Sequence, residues 1–173
     1  MRKDRPDRDL LEAAVSPAVF HAMIVASAAL TRAGVRHLVV GGLAVAAHGY
    51  PRSTKDVDFL VGDEAFEHHD GGVVTMRPGV PIQVAGVVVD FLSIDASEPY
   101  LEAAVRASGD IAPATVLVYL KLKSPRAKDR ADLVELVKAD LEVGTVRDYL
   151  ATNAPEHLAK FDAIVDVART EEQ

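Results

Sequence analysis

Apolar residues follow two rhythms along this chain, and the change from one to the other divides it. Behind Ser16-Pro17, an N-cap serine with proline at the first helical position, Val19, Met23, Ala26 and Leu30 recur at helical spacing. They predict a helix to about residue 33, stopped by Gly34. Residues 35–40 then read as a buried strand ended by Gly41-Gly42, and residues 43–48 as a short helix closed by Gly49. From residue 56 the rhythm has period two: Asp56 and Asp58 share one face of a strand, while Val57, Phe59 and Val61 face a core. Residues 73–76, 82–84 and 87–92 read as three more short strands, with Pro78-Gly79 and Ala85-Gly86 as the turns between them. Beyond Glu98 the pattern is helical, over residues 99–107, 113–122, 127–139, 145–152 and 155–168.

These elements predict an α+β fold: a mixed sheet of about five strands flanked by helices, with a helical C-terminal third. Residues 1–15 are expected to be a polar N-terminal arm with a frayed start, 16–110 the α/β core, and 111–173 a helical region packed on it. An apolar fraction of 49% supplies a core for the 173 residues, and 5% aromatic residues leave it to Val, Leu, Ile and Ala. The absence of cysteine excludes disulfides, zinc thiolates and thiol nucleophiles. A net charge of -7 argues against a grip on extended duplex nucleic acid, which calls for a basic surplus. With a charged N-terminus and no apolar run of the ~18 residues needed to span a bilayer, a soluble cytoplasmic protein without membrane association is expected.

The candidate chemistry lies in residues 38–61 and in one later strand. Two carboxylates side by side on a strand repel each other unless a cation neutralises them. Asp90 adds a third in the middle of the apolar run GVVVDFLS, where an isolated charge is costly. If the two strands are neighbours, Asp56, Asp58 and Asp90 converge on an oxygen-rich patch suited to Mg²⁺ or Mn²⁺. Gly41-Gly42, between a strand and a helix, offers backbone N–H groups to an anion such as a phosphate.

Gly41-Gly42, then Asp56-Val57-Asp58 after 13 intervening residues, then Asp90 in an apolar strand, resembles the DNA polymerase β-type nucleotidyltransferase superfamily. The segment GGLAVAAHGYPRSTKDVDFLV is similar to the small bacterial nucleotidyltransferases, including toxin–antitoxin partners, and YLKLKSPRAKDRADLVELV resembles their helical segment. The resemblance covers roughly residues 35–138. It implies a nucleotidyltransferase-like sheet and transfer of a nucleoside monophosphate from an NTP such as ATP to an acceptor hydroxyl, with release of pyrophosphate. Asp56 and Asp58 would ligate two metal ions, and Asp90 one of them while helping to deprotonate the acceptor. Gly41 and Gly42 would let the backbone approach the triphosphate, Ser53 or Thr54 would add donors, and Arg52 and Lys55 would bind or steer phosphates. Lys121 would reach the triphosphate from its helix, although a solvated helix lysine is an equal reading of the residue.

The chain has Gly-Gly where many members have Gly-Ser, and no large helical domain for transfer RNA follows Lys138. The acceptor stays open between transfer RNA, a protein side chain and a small molecule of antibiotic type. A non-catalytic nucleotide-binding or antitoxin-type protein paired with a small partner is the rival reading. Three weaker candidates remain: His68-His69-Asp70 as metal ligands in a loop, His48 as a cap beside Gly49, and Asp129 with Asp132. The last two sit among Arg126, Lys128 and Arg130 and read as a solvated helix face. The resemblance instead lets Asp129 order the basic residues around a cleft.

Overall fold

The structure, a computed structural model, describes residues 5–66, 80–107 and 110–173. The expected strand at 73–76, the Pro78-Gly79 turn and the His68-His69-Asp70 cluster lie outside the described residues. What is described is a mixed α/β fold, mostly helical, around one four-stranded sheet.

The strands β1 (His37–Val40), β2 (Val57–Val61), β3 (Ile82–Val84) and β4 (Val87–Ser93) lie in the order β1-β2-β4-β3. Against the expectation of about five strands, four are present among the described residues. β1 runs antiparallel to β2, β2 parallel to β4, and β3 antiparallel to β4. Ala85 (φ 50°) and Gly86 (φ 80°) form the β3–β4 connection. Two successive positive φ values give the tight turn whose twist matches that of the flanking strands. The outer edge of β1 is covered: Val39 N–H donates to the Asp110 carbonyl, and Ala112 N–H to the Val39 carbonyl, both at 2.9 Å.

Helices cover both faces of the sheet. Val57, Phe59 and Val61 of β2 and Val87, Val89 and Phe91 of β4 share a core with α1 (Arg8–Ala14), α2 (Pro17–Arg32) and α3 (Gly41–Ala47). The Phe59 and Phe91 rings stack there at 6.2 Å between centroids. Leu38 and Val40 of β1 and Leu60 of β2 face a second core. It is completed by α4 (Pro99–Ala107), α5 (Ala114–Lys123), α6 (Ala127–Lys138), α7 (Val143–Asn153) and α8 (Leu158–Glu171). A sheet buried on both faces wants near-continuous apolar strands. Asp58 and Asp90 break that rule at its centre.

Two expectations change. The segment read as a polar arm over residues 1–15 contains α1, capped by the Asp7 carboxylate, which accepts from Asp9 and Leu10 N–H. Leu11 is fully buried, and Asp7 N–H donates to the Ala47 carbonyl at 2.8 Å, so a cap and one anchoring leucine dock a helix that composition hides. The glycine pair expected to end β1 as a turn is instead the first turn of α3, with Gly41 at φ 63°. Among the described residues no helix is long and apolar enough to cross a membrane.

Leu11→Ala should cost about 2–5 kcal/mol in urea denaturation. Leu10→Ala, at a position 48% exposed, should change stability by less than ~0.5 kcal/mol. Equal effects at the two positions would show that α1 is not docked through Leu11.

Candidate functional site

The parallel register of β2 and β4 places Asp58 opposite Asp90. Neighbouring strands lie about 4.8 Å apart, so the two carboxylates leave the same face of the sheet side by side. On the other side of β2, Asp58 pairs with Val40, the residue before Gly41. A Cβ on Gly41 would lie 2.1 Å from Asp58 Oδ2, so glycine here leaves the space that the carboxylate fills. A Cβ on Gly42 would lie 2.7 Å from Thr54 Oγ1 and 3.1 Å from an Arg52 guanidinium nitrogen. The glycine pair thus makes room for site side chains from two directions.

Burial first, then the charges of Asp90 and Asp56, push the Asp58 carboxyl up to about 6, and Arg126 and Lys121 offset only part of that. Asp56 precedes β2 and is exposed, close enough to add its charge but outside the strand on which it was expected. Among the described residues no three His, Asp or Glu side chains gather closely enough to cage a metal. The structure pairs Asp58 with Asp90 and leaves Asp56 at their margin.

Facing the pair is a cavity of about 460 Å³. Gly41, Asp58 and Asp90 line it on one side, and Lys121, Lys123, Ser124, Arg126 and Asp129 from α5, α6 and the turn between them line it on another. Leu92, Leu117 and Leu120 supply apolar wall. Carboxylates, cations and an apolar surface therefore meet in one open chamber.

Two of these three cations, Lys121 and Arg126, are held by aspartates. Lys121, 5% exposed, donates to Asp129 Oδ1 at 2.8 Å and to Asp132 Oδ2 at 2.6 Å. Asp129 also accepts from Ser124 Oγ at 2.5 Å and Arg126 Nε at 2.7 Å. Asp132 accepts from the Arg52 guanidinium at 3.0 Å, while Arg52 Nε lies 2.8 Å from its other oxygen, out of line for a hydrogen bond. Burial alone would raise the Asp129 carboxyl, yet Lys121, Ser124 and Arg126 hold it down at about 2. Neither bland expectation survives: Lys121 is not solvated, and Asp129 and Asp132, 3% and 2% exposed, are not a solvated face. The physical reason lies in α5, which is apolar nearly all round and so buries whatever charge it carries. A lysine buried that way needs partners, and two aspartates one turn apart on α6 supply them.

Of the remaining expected residues, Ser53 and Lys55 are exposed and Thr54 is half-buried against Gly42. His48 is the C-cap of α3, beside Gly49 as expected, and its Nε2 also donates to the Ala112 carbonyl at 2.8 Å, which ties the end of α3 to the approach to α5. Residue patterning missed Lys123 and Glu98. Glu98 is 4% exposed and accepts from Lys123 Nζ and from Tyr119 Oη, which in turn accepts from Tyr100 Oη at 2.7 Å. Burial alone would raise its carboxyl, but the bonds from Lys123 and Tyr119 hold it below the usual range. The available signal was Glu98 just ahead of Pro99, an acid at a helix start with aromatic and basic residues following.

The raised Asp58 carboxyl fixes a sign. An acid that binds its proton more tightly when folded stabilises the fold below the unfolded value of 3.8, and this is lost as pH rises through about 6. Asp58→Asn, which does not titrate, should therefore gain stability over wild type between pH 4 and pH 6. The gain should level off above that at no more than about 3 kcal/mol, in urea denaturation without divalent cations. A gain independent of pH would show that Asp58 ionises normally. Lys121→Met should cost about 3–5 kcal/mol, because it strands Asp129 and Asp132 without their shared cation; a loss below ~1 kcal/mol would contradict the buried network. In comparisons with known proteins, no protein-family model matches the chain and no curated protein matches it.

Proposed function

We propose that the cavity is the active site of a Mg²⁺-dependent nucleotidyltransferase, which moves a nucleoside monophosphate from an NTP to an acceptor hydroxyl and releases pyrophosphate. The observation that carries this reading is the register pairing of Asp58 with Asp90, in a chamber whose other side carries Lys121, Lys123 and Arg126. Paired carboxylates whose mutual repulsion Arg126 and Lys121 offset only in part favour a bound divalent ion. Mg²⁺ fits so open a donor set, because it is commonly held by one or two carboxylates plus substrate phosphates rather than by a full protein cage. Asp58 and Asp90 would hold it, with Asp56 at the margin. Bound there, the ion supplies charge neutralisation at the attacking and leaving oxygens.

The chain's own residues supply position and charge. At neutral pH an Asp58 carboxyl near 6 is largely ionised, so it presents a charged ligand. Asp90 takes the proton of the acceptor hydroxyl as its oxygen bonds to the α-phosphorus and the bond to the β-phosphate oxygen breaks. The cationic wall stabilises charge that accumulates on the departing pyrophosphate. Asp129 holds Arg126 and Lys121 in place, so little reorganisation is needed during transfer. The apolar wall of Leu92, Leu117 and Leu120 suits the uncharged part of a nucleotide.

Wild-type protein given α-³²P-labelled ATP, GTP, CTP or UTP, Mg²⁺ and a mixture of cellular RNA and protein should transfer label to an acceptor. Asp58→Asn should lower that transfer by about 10²–10³-fold or more. Its melting curve should be no lower than that of wild type. The wild type should also show a thermal shift with ATP and Mg²⁺ together that neither gives alone. Undiminished transfer by Asp58→Asn would remove the carboxylate pair from the mechanism.

A further inference from the structure

Two lysines two residues apart on α5 both line the cavity, yet their surroundings differ sharply. Residues i and i+2 on a helix point about 200° apart. Lys121, 5% exposed, turns into the protein, where two of its three ammonium protons go to Asp129 and Asp132. Lys123 has a 40% exposed side chain and, among the described residues, one carboxylate within ion-pair distance, Glu98, leaving donor capacity toward the cavity. Arg126 lines the mouth with its side chain 74% exposed and its Nε on Asp129.

We infer that Lys123, and not Lys121, is the α5 cation that contacts the polyphosphate of the substrate, and that buried Glu98 is the positioning residue that aims it. The assignment rests on the nucleotidyltransferase reading of the cavity and departs from the residue that sequence resemblance favours.

Glu98 is suited to this task by its own anchoring. It is 4% exposed, accepts from Tyr119 Oη as well as from Lys123, and sits beside Asp95, whose backbone N–H donates to it at 3.3 Å. Lys123 also lies 5.4 Å above the Tyr119 ring centroid, a second contact on the same side. A lysine stem carries several rotatable bonds, and fixing it before the ligand arrives removes an ordering cost from binding. Lys121 is placed differently: turning it to a ligand phosphate would break two ion pairs with buried carboxylates and leave Asp129 to Arg126 and Ser124 and Asp132 to Arg52. Its charge acts as the hub of the α5–α6 packing.

Isothermal titration in Mg²⁺ buffer with ATP, inorganic tripolyphosphate and AMP tests the assignment. Lys123→Gln should weaken ATP and tripolyphosphate by about ten- to a hundredfold, the range of a lost charged hydrogen bond, and leave AMP within about twofold. Glu98→Gln should raise the apparent KM for the NTP with kcat little changed and keep the melting temperature of wild type within a few degrees. Lys123→Arg should recover at least half of the lost free energy of tripolyphosphate binding. Lys123→Gln with unchanged ATP and tripolyphosphate affinity overturns the assignment, as does equal weakening of AMP. If wild type binds neither ATP nor tripolyphosphate, the nucleotidyltransferase reading itself fails, and the role of Lys123 falls with it.

Discussion

A lysine buried between two aspartates ties this molecule together. Lys121 joins α5 to α6, and through the same pair of carboxylates α6 reaches Arg126 on one side and Arg52 on the other. Arg52 belongs to the loop between α3 and β2, so the network spans from the C-terminal helical layer to the sheet half of the site. Burying such a triad is expensive in desolvation and adds little net stability compared with an apolar replacement. What it contributes is geometry: cations on one wall, carboxylates on the other, held at fixed separation by groups that cannot relax without exposing buried charge. The chamber between them inherits its shape from that constraint.

The sheet and the helical layer fail in opposite ways when altered. The charged form of Asp58 is disfavoured where it stands, by burial first and then by the charges of Asp90 and Asp56. Asp129 and Asp132 are compensated where they stand, since each has a cation within hydrogen-bond reach. The same residue type thus marks strain in one layer and cohesion in the other. Uncompensated acids at the centre of a sheet are the arrangement associated with ligand sites, where folding energy is traded for binding capacity.

Local chemistry made much of the fold readable. Ser16 and Pro17 announce α2, the alternation around Asp58 announces β2, and Ala85-Gly86 announces the β3–β4 turn, because each signal acts within a few residues. The neighbouring strands of Asp58 and Asp90 could be posed only as a condition, since their pairing spans a stretch of chain with no local signature. α1 escaped because its stability comes from docking through Leu11, a contact made with residues far along the sequence. The state of Lys121 was undecidable for the same reason: an identical KLK triplet is solvated on an exposed helix and buried on an enclosed one. Only the placement of Asp129 and Asp132 separates the two cases, and with them the roles of Lys121 and Lys123.

Gly41 carries a consequence for how this protein can vary. The space beside it is already filled by the Asp58 carboxylate, and its φ of 63° disfavours any side chain. Drift at this position therefore has no gradual route. A methyl group must evict the acid, so the position is coupled to residue 58 as tightly as two halves of one functional group. A lineage that lost glycine here would keep its three aspartates in the sequence and still present a dismantled site. Intact acidic motifs alone would then misreport which descendants remain competent.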